Sequence, residues 1–316
     1  MRRIGWAVVA AALMAGPAFG QAKLADPEAN IVEELVVQAK EAGPAWWRVK
    51  DGDTTVWILG VGDDGIPTDI PWSRTALQRR MTGANSLILG TRINIRGGVG
   101  DIPALLRARA KLRSKTPVEQ ALPPPLSARF TAARTRIGKP PERYKGWGPL
   151  VASSMLLRDS REGRKTVSVA DAVVKEARRR RVKTETPASY KARPMLATVM
   201  GSISQQGELG CVRDALDDIE TPDGVPRAAA RGWANGDVRG ALREARGFEK
   251  CILFLSGGET FWRGYIDDEA EAIQAALAKP GHAVAIMGLR PLLAEGGIIE
   301  TLEAKGVTVL GPGEAG

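Results

Sequence analysis

Two apolar runs, Ala45-Trp46-Trp47-Arg48-Val49-Lys50 and Thr54-Thr55-Val56-Trp57-Ile58-Leu59, flank the pair Asp51-Gly52. Asp-Gly suits turn positions with φ > 0, so the runs read as antiparallel strands joined by a tight turn. A sheet that packs on a core must bury at least one of its faces, and the hairpin therefore commits the chain to a β-layer with other elements against it. Ser86-Leu87-Ile88-Leu89 is short enough for a buried strand. Further strands are predicted at Val182 to Thr186, near Cys251 to Leu255, at Ala283 to Met287 and at Val307 to Leu310. Asp26-Pro27 has the form of an N-cap followed by proline at the first helical position, with Ile31, Val32, Leu35 and Val36 at helical spacing and Gly43 as a stop. A helix is expected there, over 27–41, and others over Ser73 to Met81, Ser168 to Lys183, much of 188–279, and 297–305.

Residues 97–145 are rich in Arg, Lys, Pro and Gly, and Pro123-Pro124-Pro125 breaks any helix there. They read as a basic, Pro-rich surface subregion. The 316 residues exceed the usual single-domain length, but an α/β fold absorbs that in one unit. Hydrophobic residues at 44% and charged residues at 26% exclude an intrinsically disordered chain.

Arg2-Arg3, an apolar run from Ile4 to Met14 and the small residues around Ala18-Phe19-Gly20 have the layout of a signal peptide. The run is too short to span a bilayer, which takes roughly 20 residues, so cleavage after Gly20 or Ala22 is expected, leaving residues 21–316 and no transmembrane anchor. Lys and Arg number 45 against 36 Asp and Glu, and loss of Arg2 and Arg3 leaves 43 against 36, or +7. Outside the cytoplasm a basic protein meets anionic polysaccharide, lipid head groups and peptidoglycan rather than nucleic acid. In that oxidising setting the only cysteines, Cys211 and Cys251, are expected to form a disulfide rather than two buried thiols.

Several segments resemble the TraB/GumN family, relatives of the Tiki metalloproteases. They are Pro44-Ala45-Trp46-Trp47-Arg48-Val49 with its hairpin, Trp57-Ile58-Leu59-Gly60, Thr184-Glu185-Thr186, Trp233-Ala234-Asn235-Gly236-Asp237, and the closing stretch from Ala285-Ile286-Met287-Gly288 to Gly306-Val307-Thr308-Val309. The resemblance implies an α/β fold, a mixed β-sheet flanked by helices. It also implies a metal held by two Gly-x-x-His motifs and an acidic residue. Here those motifs read Gly60-Val61-Gly62-Asp63 and Gly288-Leu289-Arg290-Pro291, and the acidic position falls on Gly90. With Trp262 aligned to the family's aromatic, Gly258 and Glu259 replace an Arg-Asn pair. Glu185, Trp233, Gly236 and Asp237 remain.

A catalytic zinc takes about three protein ligands and one open position, and neither Gly90 nor Pro291 offers a donor side chain. The one histidine, His282, beside Pro280-Gly281, reads as a partly exposed turn residue preceding its strand. No Gly-x-Ser-x-Gly elbow accompanies it, and a disulfide removes the thiol that Cys-His chemistry needs. Arg178-Arg179-Arg180-Arg181 reads as a solvated helix end or as an anion patch. The glycines in Ser256-Gly257-Gly258 and Glu295-Gly296-Gly297 read as turn residues or as backbone anion donors. Trp46, Trp47 and Trp57 offer either a sugar-stacking surface or core packing, the latter expected for Trp57 and Trp233. The expectation is an exported, catalytically degenerate protein without a cofactor, binding an anionic envelope polymer or a protein partner. The alternatives are a hydrolase with a relocated site on Asp63, Asp64, Glu185 and Glu295, and a structural envelope protein without a ligand.

Overall fold

A computed structural model describes residues 26–62, 65–94, 102–191, 204–243 and 257–314, with Arg246, Lys250, Cys251 and Leu253. The expected signal peptide and Asp63 and Asp64 lie outside these residues. The chain runs β1 (Trp46–Asp51), β2 (Thr54–Val61), β3 (Ile66–Pro67), α1 (Thr75–Met81), β4 (Ser86–Leu89), β5 (Arg92–Asn94), α2 (Ile102–Leu112), α3 (Val118–Ala121) and α4 (Pro124–Arg136). It continues through α5 (Pro149–Ser160), β6 (Thr166–Val167), α6 (Val169–Arg179), β7 (Lys183–Glu185), β8 (Ser189–Lys191), α7 (Gln205–Glu220), α8 (Gly224–Ala234) and α9 (Val238–Ala241). It closes on α10 (Gly258–Leu277), β9 (Gly281–Gly288), α11 (Leu289–Leu293), α12 (Ile298–Ala304) and β10 (Thr308–Leu310).

The main sheet has the order β10-β1-β2-β9-β4-β7. The hairpin forms as the sequence predicts, with Asp51 opposite Thr54 and Trp46 opposite Leu59. Strand β2 then pairs in parallel with β9, β9 with β4, and β4 with β7, while β10 closes the other edge antiparallel to β1. The fold is thus α/β with a mixed sheet. From Ala283 to Met287 five consecutive residues of β9 are buried. Because successive side chains point to opposite faces, this strand is covered on both, the usual state of parallel sheets. The same double covering buries Trp46 and Trp47 together, although they point opposite ways.

The helix expected over 27–41 does not form. That stretch holds a single 3-10 turn, Glu33–Leu35, and pairs its backbone with distant segments. Val32 N–H donates to Leu293 O at 3.0 Å, Glu295 N–H to Asn30 O at 3.0 Å, and Ala39 N–H to Gly236 O at 2.9 Å. Ile31, Leu35 and Val36 still face the main core, so the apolar spacing reports burial while tertiary partners take the backbone bonds. The strand expected near Cys251 is not found among the described residues. Cys251 and Leu253 are helical, and Ile252, Phe254 and Leu255 lie outside the described residues. A short apolar run fits a buried helical turn as well as a strand. His282, expected to precede its strand, is instead the second residue of β9, opposite Thr55, its Nε2 3.0 Å from Arg80 O.

The Pro-rich subregion does more than line a surface. Leu126, Phe130 and Ala133 form a buried stripe on α4, and they pack with Tyr144, with Ala152 and Leu156 of α5 and with Val212 and Leu216 of α7 into a second core. Pro123 stands just before α4 and Pro124 opens it, so the predicted break falls between α3 and α4. Arginines on the outward faces disguised this stripe in the sequence. The disulfide joins Cys211 of α7 to Cys251, seven positions before α10, with Cα atoms 4.8 Å apart. It fastens the second core to the segment that leads into the sheet-packing helix.

Candidate functional site

Register alone brings the carboxyl ends of the four parallel strands together. Val61 of β2 lies opposite Gly288 of β9, Leu89 of β4 opposite Ile286, and Glu185 of β7 opposite Ile88. In α/β sheets ligands bind outside this edge. A cleft of about 520 Å³ opens beyond β2, lined by Gly62, the β3–β6 ribbon, Trp233 of α8 and Leu289 of α11. Its floor is apolar, with Ile66, Pro67, Val169, Ala229, Ala230 and Leu289. Its walls carry Arg161, Arg164, Lys165 and Arg227, against one lining carboxylate among the described residues, Asp223.

The cationic walls are held by pairs at the surface. Arg164 lies 3.3 Å from Asp223, Arg161 lies 4.0 Å from Asp218, and Arg227 grips both oxygens of Asp69. Side-chain exposures of 36%, 37% and 42% for Arg161, Arg164 and Arg227 put these guanidinium groups within reach of solvent. Pairs exposed on both sides, as Arg164–Asp223 and Arg227–Asp69 are, contribute about 0–1 kcal/mol, so an incoming anion can take over these two arginines at little cost.

The profile of the TraB/PrgY/gumN family matches residues 45–310. The chain belongs to that family. No curated protein and no solved structure matches it.

The TraB/PrgY/gumN positions then sort by what the structure does with each. Gly60 is packed so closely that an added Cβ would stand 2.6 Å from Leu289 Cδ1 and 2.9 Å from the Trp47 ring. Trp233 donates its indole N–H to the Gly60 carbonyl at 2.7 Å and meets Trp72 edge-on at 5.3 Å. It therefore fixes the end of β2 at the cleft floor. Gly236 has φ +72°, and a Cβ there would lie 2.5 Å from Ala39 Cβ. Asp237 caps α9, accepting from Gly240 N–H at 2.8 Å. The Trp-x-x-Gly-Asp segment is thus a turn that clamps the N-terminal stretch and braces the strand end. Replacing Trp233 with phenylalanine should leave the Gly60 carbonyl buried without its donor and lower the unfolding free energy by about 1–3 kcal/mol, measurable in a urea titration.

The metal-ligand positions do not reassemble. Gly90 and Gly288 bring no donor, and Pro291 only packs its ring 3.2 Å from where a Cβ on Gly288 would be. Asp63 lies outside the described residues. Glu185 ends edge strand β7 and pairs with Lys183 at 3.1 Å and Lys279 at 4.0 Å. Glu295 accepts from Asn30 at 3.0 Å. Among the described residues no group of three His, Cys, Asp or Glu side chains is placed to hold a metal. The described residues do not fit the metal that the resemblance implies.

One carboxyl went unremarked in the sequence. Glu269 of α10 is fully buried, and its Oε1 accepts from Thr91 N–H and lies 3.5 Å from where a Cβ on Gly90 would stand. A carboxyl group from a helix thus lies near Gly90, just after β4, where the resemblance implies an acidic residue. Burial pushes its pKa up to about 7, offset partly by the Thr91 hydrogen bonds. Its spacing on α10, three positions after the buried Ile266 and four before the buried Ile273, was the available signal. Complete burial keeps it from any substrate.

The other sequence candidates resolve plainly. Arg178 to Arg181 are exposed at the end of α6, where Arg180 pairs with Glu176 at 2.6 Å, as a solvated helix end should. Gly257 stands before α10 with φ +85°, Gly297 before α12, and Ser256 lies outside the described residues. Trp57 is only half-buried, and Arg80 lies over the rings of Trp57 at 4.2 Å and Trp46 at 4.7 Å. Arginine cations thus lie over both rings, with Arg48 also 5.6 Å from the Trp57 centroid.

Proposed function

We propose that this TraB/PrgY/gumN protein is exported to the periplasm or secreted, and that it binds an anionic envelope component in the cleft beyond β2 without catalysing a reaction. The signal-peptide layout of the N-terminus and the disulfide pair support export. The observation that carries the binding reading is the cleft itself, in which Arg161, Arg164, Lys165 and Arg227 stand over an apolar floor with Trp233. Guanidinium groups favour carboxylates and phosphates, and an apolar floor favours the carbon skeleton that bears them. Val167 and Val225, exposed beside the lining residues Thr166 and Pro226, extend that apolar character to the rim. The absence of donor side chains at Gly90 and Pro291 supports a binding role over a hydrolytic one.

The test uses a short galacturonate oligomer and its methyl-esterified, neutral counterpart, titrated calorimetrically into the mature protein. Binding of the acidic oligomer alone is expected, weakening with salt, and the Arg164→Ala/Arg227→Ala double variant should lose tenfold or more, about 1.5 kcal/mol per charged hydrogen bond. Equal affinity for the neutral oligomer, or an unchanged double variant, would sink the reading. Elemental analysis of the same preparation should find no stoichiometric zinc, manganese or iron. About one tightly held metal per chain would favour a relocated hydrolytic site instead.

A further inference from the structure

We infer that α2 docks the protein onto an anionic lipid surface, a contact separate from the cleft. Ile102 and Leu106 are 49% and 59% exposed, the largest exposures among the large apolar side chains described. Four residues apart, they share one side of the helix. Arg107, Arg109, Lys111 and Arg113 follow as exposed residues, then Lys115, and no acidic residue occurs from Ile102 to Lys115.

The helix is attached at its far end. Gly148 N–H donates to Leu112 O at 2.8 Å, Ser114 N–H to Gly146 O at 3.3 Å, and the Arg113 guanidinium lies 4.4 Å over the Trp147 ring. The apolar pair therefore sits away from the tether, with cations between it and the body of the protein. That order suits a lipid interface, where apolar side chains enter the acyl boundary and Lys and Arg remain among anionic head groups. A soluble polyanion would satisfy the cations but leave Ile102 and Leu106 in water. Among the described residues no helix is long and apolar enough to cross a membrane, so α2 would lie on the surface.

Co-sedimentation of the purified mature protein with phosphatidylglycerol–phosphatidylcholine vesicles tests the inference, with pure phosphatidylcholine vesicles as the neutral reference. Binding is expected to rise with the anionic fraction and fall with salt. Ile102→Ser/Leu106→Ser and Arg107→Gln/Arg109→Gln should each cut the partition coefficient about tenfold or more, with unchanged circular dichroism. The Arg164→Ala/Arg227→Ala variant should bind vesicles as the wild type does, which separates this surface from the cleft. The inference fails if anionic vesicles do not retain the protein or if the serine variant binds undiminished. It also fails if sedimentation without lipid shows a dimer that the serine variant abolishes, since a second copy would then be the occupant.

Discussion

Replacing Cys211 and Cys251 together by alanine should lower the free energy of unfolding by about 4 kcal/mol, the chain-entropy value for a loop closed across 40 positions. Both half-cystines are buried, at 0% and 1% exposure, so the alanines also leave small voids that add to the loss. The effect should reach the cleft. The loop between the cysteines contains α8 and α9, and α8 carries Arg227 and Trp233. Without the bridge, α8 is held by packing, by the Trp233–Gly60 bond and by the Asp237 cap, and the cleft wall should exchange its amides faster than the main sheet does. Urea unfolding of the double variant, with and without reductant in the wild type, measures the first effect. Hydrogen exchange over α8 measures the second. A loss under about 1 kcal/mol would mean that the unfolded chain is already compact around these residues.

The sheet was legible because its signals are local. Asp51-Gly52 specifies a turn by its own backbone requirements, and the apolar run Ala283 to Met287 is set off as a strand by Pro280-Gly281 before it and Gly288 after it. The disulfide was legible because two cysteines leave one pairing. The stretch 27–41 was misread because its apolar spacing serves burial, while Asn30, Val32 and Ala39 bond to segments about 200 or more positions away. No local window contains Leu293 or Gly236. The second core was hidden for a related reason, since Leu126, Phe130 and Ala133 occupy one narrow face of an arginine-rich helix and meet their partners only through α5 and α7. At the site, the loss of metal ligands could be read from Gly90 and Pro291. The cleft could not, because the turn between α5 and β6 that carries Arg161, Arg164 and Lys165 meets Arg227 of α8, about 60 positions on, only in the folded chain.

Glu269 sets the other large expectation, that Glu269→Gln is more favourable to stability at pH 8.5 than at pH 4 by about 3 kcal/mol. Burial raises its folded pKa to about 7 from the ordinary 4.5. Because the folded state holds the proton more tightly than the unfolded chain, stability is greatest below about 4.5, where both are protonated. As pH rises from there, the unfolded chain ionises first and stability falls, until above about 7 the buried group must carry charge and the loss is complete. Glutamine stays neutral throughout, keeps an oxygen for Thr91 N–H, and removes that slope. Among the described residues Glu269 Oε2 has no hydrogen-bond partner. The amide nitrogen placed there is unpaired too, which trims the gain by the cost of one buried polar group, about 1–3 kcal/mol. That cost is independent of pH, so the difference between pH 8.5 and pH 4 is the quantity to measure, by urea unfolding of both proteins at each pH. Equal effects at the two pH values would show that the carboxyl is solvated or paired in the folded state. A variant less stable at pH 8.5 than at pH 4, relative to wild type, would mean that the carboxylate is the favoured form and that some cation sits beside Gly90.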